Sequence, residues 1–131
     1  MQERILLDGP SVRLRKATVQ TLALALHELA TNARKYGALT TEHGQIRVTW
    51  RTYAADGEGP RLALAWVEEG LDRSREQQSP MSAHRGYGRE LIERALTYVL
   101  RAKTSYELGE TALRCSIELP LTEADKARSR A

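Results

Sequence analysis

The chain has a single cysteine, Cys115, in 131 residues, which excludes an internal disulfide framework. No apolar run reaches the roughly 18 residues of a membrane span, and the N-terminus, MQERILLDGP, lacks the apolar centre of a secretory signal. Excess charge is small. Lys and Arg number 20 against 17 Asp and Glu, a formal +3, and the basic residues are scattered rather than gathered in one run. That balance is too weak to indicate a nucleic-acid partner. The expected compartment is cytoplasmic, with no nucleic acid and no membrane contact by this domain. Apolar side chains make up 41%, enough for one domain with a real core in a chain too short for two. Residues 1–121 read as that domain and 122–131 as a polar tail.

Periodicity supplies the elements. "RILLDGPSVRLR" reads as two short strands around Asp8, Gly9 and Pro10, a hairpin or bent edge. From Thr18 to Tyr36, Leu22, Leu26, Leu29 and Ala33 recur at helical spacing, and Gly37 is a natural stop. "QIRVTWRTY" and "RLALAWVEE" alternate as half-buried strands, the second placing Leu62, Leu64, Trp66 and Glu68 on one face. The polar stretch from Gly70 to Gly88 has no period and is longer than the about 12 to 15 residues usual for a loop, so it is a candidate lid. "RELIERALTYVLRA" predicts a helix burying Leu91, Ile92, Ala95, Leu96, Tyr98, Val99 and Ala102. Two strands around Gly109 and Glu110 close the domain, with Leu113, Cys115, Ile117 and Leu119 inward. Strands that follow one another as hairpins, with few helices, predict an α+β two-layer sandwich, one mixed sheet covered on one face by helices.

The first helix carries a carboxylate, an amide and an ammonium at Glu28, Asn32 and Lys35 in "HELATNARKYG". At helical pitch these three fall within an arc of roughly 60° bordering the apolar stripe. Such a strip is often plain solvated surface, and it can equally face a cleft between helix and sheet. Gly86 and Gly88 in "RGYGRELIERAL" stand just ahead of a helix, where absent side chains let a phosphate approach backbone N–H groups; a flexible turn has the same composition. In "WVEEG", Glu68 sits on the inward face at a strand end, and a buried carboxylate needs a donor. A purine amino group is one candidate; a neighbouring Arg or backbone N–H is the commoner one.

Taken together, "HELATNARKYGAL", "WVEEG", "GYGRELI" and "GETALRCSIELPL" resemble the ATP-binding catalytic domain of bacterial sensor histidine kinases. The nearest group is the one named for a His in the N box and a W-x-E in the first glycine box, here His27 with Trp66 and Glu68. The likeness runs from about Arg4 to Leu121. It implies the fold of the gyrase-like, heat-shock-chaperone-like and MutL-like ATPases, a mixed sheet under helices with ATP between them.

The resemblance implies residue roles. Asn32 matches the N-box residue that holds Mg²⁺ beside the triphosphate, Lys35 would reach the phosphates, and Tyr36 would pack on the adenine side. Glu68 stands where the wider superfamily has an Asp accepting from the adenine amino group. Gly70 is the first-box glycine, Gly86 and Gly88 the second box, and Thr111 the residue of the last strand pair facing adenine. Glu28 matches the Glu that activates water in hydrolysing members; in a kinase it could orient the attacking imidazole or take its other ring proton. His27 points away from the strip, and a hydrogen-bonded structural role and a catalytic one both stand.

Two features depart from the pattern. The first box continues "EEGLDRSREQQSP" where the family has Gly-Gly-Pro, and Tyr87 stands where the second box often has Phe, a residue absent from the whole chain. The implied activity is transfer of the γ-phosphoryl group of Mg·ATP to a histidine on a dimerisation domain, and through it to a response regulator. Nothing before Arg4 reads as that helical domain, so the chain is expected to be one catalytic unit of a larger protein. His43 and His84 are loop residues and not the expected acceptor. Rival readings are an ATPase that hydrolyses, and a degenerate nucleotide-sensing or docking module; a serine kinase fits Trp66 and Glu68 less well.

Overall fold

In a computed structural model of the chain, the described residues are 4–55, 57, 59–72 and 89–121. The expected lid from residue 73 onward, with His84, Gly86, Tyr87 and Gly88, and the tail 122–131 lie outside them. The chain forms β1 (Ile5–Asp8), α1 (Lys16–Lys35), a single 3₁₀ turn (Ala38–Thr40), β2 (Gln45–Ala55) and β3 (Gly59–Glu69). A second helix comes next, a π-helical turn Leu91–Leu96 running into an α-helical turn Thr97–Leu100, here α2, and then β4 (Lys103–Leu108) and β5 (Ala112–Pro120). The sheet order is β1-β2-β3-β5-β4, with β1 parallel to β2 and every other pair antiparallel. This is the expected α+β arrangement, a mixed sheet with two helices. Among the described residues no helix is long and apolar enough to cross a membrane.

Period-two alternation builds the inner face of the sheet. Ile46 and Val48 of β2, Leu62, Leu64 and Trp66 of β3, and Leu113, Cys115, Ile117 and Leu119 of β5 are all buried, as the strand pattern predicts. Against them α1 buries Leu22, Ala25, Leu29 and Ala33. Each leucine so removed from water contributes about 1.5–3 kcal/mol. Arg34 and Lys35 fall in the last turn of α1, where cations offset the helix dipole.

Two expectations are corrected. The second strand of the N-terminal pair does not form: after β1 the chain runs as coil to Arg15, and β1 pairs with β2 instead. Pro10 has no N–H to give a ladder, its carbonyl accepts the Trp50 indole N–H at 2.7 Å, and Gly9 lies flush on the Trp50 ring. The segment is laid over Trp50 rather than folded back, while Val12 and Leu14 still pack on the core.

The second correction concerns α2. Tyr98 is 90% and Val99 61% exposed, whereas Leu100, off the expected face, is buried with Ile92, Leu96 and Ala102. A π-helical turn inserts an extra residue and rotates the rest of the helix about its axis, so burial recurs at Ile92, Leu96 and Leu100. Arg101 then takes a left-handed φ of 55°, and Ala102 closes the helix by donating to the Leu96 carbonyl at 3.2 Å.

Candidate functional site

The polar strip lies in the C-terminal half of the 20-residue α1. Asn32 is only 5% exposed, Glu28 and Tyr36 are half-buried, and Lys35 is exposed. The side-chain amide of Asn32 makes no hydrogen bond with any described residue. An amide oxygen that is nearly buried and has no partner among the described residues suits a hard cation held by few protein atoms.

Where α1 ends, three elements converge. Tyr36 and Gly37 cap the helix by donating to the Asn32 carbonyl at 2.7 Å and the Ala33 carbonyl at 3.2 Å. The next residue, Ala38, donates its N–H at 3.0 Å to Oε1 of Glu68 on β3. The Trp66 indole N–H donates at 2.8 Å to Oε2 of the same carboxylate. Just past the end of β3, Gly70 turns the chain with φ +80°, a conformation that favours glycine. Its carbonyl accepts the Thr41 hydroxyl at 2.7 Å. Leu71 donates to the Thr111 carbonyl at 2.9 Å, which ties the end of β3 to the β4–β5 turn.

Hydrogen bonds thus join Glu68 to Ala38, just past the end of α1, Gly70 to Thr41, and Thr111 to Leu71. Thr111 is exposed there. Glu68 is fully buried, and the donors its carboxylate needs come from the backbone at Ala38 and from the Trp66 indole. Gly86 and Gly88 lie outside the described residues.

His27 is on the other flank of α1. With Leu26 and Ala30 it lines an apolar cavity of about 740 Å³ bounded by β1, the coil after it and the two tryptophans. That cavity carries none of the Glu28, Asn32 or Lys35 side chains.

Two residues of this region carry no signal in the sequence. Arg4, ahead of β1, donates to the carbonyls of Gly44 at 3.0 Å, of Ala38 at 2.8 Å and of Thr41. Gly44 is packed so tightly against Ala38 that no side chain fits. The Arg4 contacts reach across more than 30 residues of chain, where no periodicity extends.

Cys115 lies beneath the site on β5, paired in register with Trp66. Burial first, then the negative charges of Glu68 and Glu93, push its thiol up to about 12. It is therefore a neutral core side chain and not a nucleophile.

A mixed five-stranded sheet with two helices matches the fold of histidine kinase catalytic domains. The catalytic domain of the histidine kinase ThkA superposes with a TM-score of 0.60 at 17% identity, over 90% of this chain and 79% of that one. ThkA has also been solved in complex with the response regulator protein TrrA. No protein-family model matches the chain. In sequence it is 35% identical over 119 residues to a blue-light-activated histidine kinase of Brucella abortus, covering 91% of this chain and 23% of that protein. It is also 35% identical over 124 residues to blue-light-activated histidine kinase 1 of Erythrobacter litoralis, covering 94% of this chain and 32% of the relative. The chain belongs to the family of histidine kinase catalytic domains. It spans about a quarter to a third of the length of these curated relatives.

Proposed function

We propose that the chain binds Mg·ATP and transfers its γ-phosphoryl group to a histidine nitrogen on a dimerisation domain, which passes it to a response regulator. The observation that carries this reading is Asn32, nearly buried and without a described side-chain partner, on one helical strip with Glu28 and Lys35 in a member of this family. When bound with the nucleotide, Mg²⁺ supplies charge neutralisation across the phosphate oxygens, and Asn32 is the residue that would hold it. Lys35 offsets charge on the transferring group. Tyr36 and Thr111 border the adenine side, and Gly70 turns the chain just past the end of β3.

The chemistry asks for positioning more than for covalent participation. An imidazole nitrogen bonds to the γ-phosphorus as the bond to the β–γ bridging oxygen breaks, and ADP leaves with that electron pair. The other ring nitrogen gives up its proton, and Glu28, half-buried on the same strip, orients the ring or accepts that proton. ThkA's partnership with a response regulator supports the downstream step by likeness of fold. Incubation with γ-labelled ATP, Mg²⁺ and a histidine-bearing dimerisation domain is expected to yield acid-labile phosphohistidine. Free phosphate with no phosphohistidine would overturn transfer in favour of hydrolysis.

A further inference from the structure

We propose that Glu68 is a positioning residue and not a reader of the nucleobase: with Trp66 and Arg4 it clamps Ala38, and so fixes the end of α1 from which Lys35 and Tyr36 project. The inference rests on the nucleotide site proposed above and concerns how that site is held.

Four observations carry it. Glu68 has no exposed surface at all. Each of its carboxylate oxygens accepts a hydrogen bond from within the chain, Oε1 from the Ala38 N–H at 3.0 Å and Oε2 from the Trp66 indole at 2.8 Å. Ala38 opens a 3₁₀ turn, so its N–H has no helical acceptor, and with no exposure it has no water either. On the other side, the Ala38 carbonyl accepts the Arg4 guanidinium at 2.8 Å, so one residue is held at both its backbone polar groups by side chains 34 and 30 positions away.

The same clamp explains the spacing of Trp66 and Glu68. Residues two apart on a strand share a face, which lets the indole N–H reach the carboxylate beside it. An acceptor at both oxygens is then required. A glutamine could still take the Ala38 N–H, but its amide nitrogen would meet the indole N–H donor to donor. Gly44 and Gly70 let the clamped segments close up, since a Cβ on Gly70 would stand 2.9 Å from the Gly44 Cα.

The test uses Glu68→Gln and the milder Trp66→Phe, with three readouts: melting of the nucleotide-free protein, affinity for ATP and for purine riboside triphosphate, which lacks the 6-amino group, and a double-mutant cycle with Lys35→Ala. Both variants are expected to melt lower and to weaken the two nucleotides by the same factor, on the order of tenfold, leaving their ratio at the wild-type value. Glu68→Gln is also expected to be non-additive with Lys35→Ala, a coupling that lost stability alone would not produce. A Glu68→Gln protein that melts like wild type and binds the two nucleotides equally, where wild type prefers ATP, would overturn the clamp and assign Glu68 to the base. Additive behaviour with Lys35→Ala would also overturn positioning. If wild type binds neither nucleotide, the nucleotide site itself is wrong; unchanged melting of both variants would then reject the clamp as well.

Discussion

Gly44 lies so close beneath Ala38 that a Cβ would stand 1.7 Å from the Ala38 carbonyl oxygen. The obstacle is backbone, held in place by Arg4 and Glu68, and cannot rotate aside. Gly44→Ala is therefore expected to destabilise the domain by roughly 3 kcal/mol, the upper end for overpacking. Urea denaturation measures it, and wild-type stability would show that the approach is not tight.

The π-helical turn in α2 makes an opposite pair of expectations. Leu100→Ala, at 8% exposure, should cost about 2–5 kcal/mol, while Tyr98→Ala, at 90%, should stay within about 0.5 kcal/mol. An uninterrupted α-helix on the expected face would bury Tyr98. Chemical melts of the two variants decide which phase the helix takes.

These outcomes mark where the sequence is legible. One face of a sheet must be apolar every second residue, so Ile46, Val48, Leu62, Leu64, Trp66 and Leu113 are readable as core without any structure. The strip of Glu28, Asn32 and Lys35 is readable for the same reason at helical period. Legibility ends where a single period ends. The π turn shifts phase without a residue that announces it, and the Gly9 and Pro10 segment obeys a contact with Trp50 that is 40 positions away. Arg4 and Gly44 serve the site only through tertiary contacts. For Glu68, burial could be inferred from strand alternation, whereas its donors, Ala38 and Trp66, come from tertiary structure and the strand itself.

The Cys115 thiol, held at about 12 by burial and then by Glu68 and Glu93, stays protonated in the folded protein well above the ordinary thiol range near 8.5. Iodoacetamide at mildly alkaline pH is expected to leave it unmodified until the protein unfolds. Because the unfolded thiol loses its proton first, the stabilising contribution is complete below about pH 8.5 and is lost progressively as pH rises toward 12. Denaturation midpoints of wild type and Cys115→Ala across that alkaline window check the sign. A thiol that reacts freely in the folded state would contradict it.

Calorimetric titration of ATP with Mg²⁺ into wild type and Asn32→Ala tests the central claim most directly. Saturable, magnesium-dependent heat is predicted for the wild type. In the variant, which removes one nearly buried amide from α1, that heat is expected to be lost or reduced on the order of a hundredfold in affinity, with the fold intact by circular dichroism. Equal magnesium-dependent binding by both proteins, or none by the wild type, would contradict it.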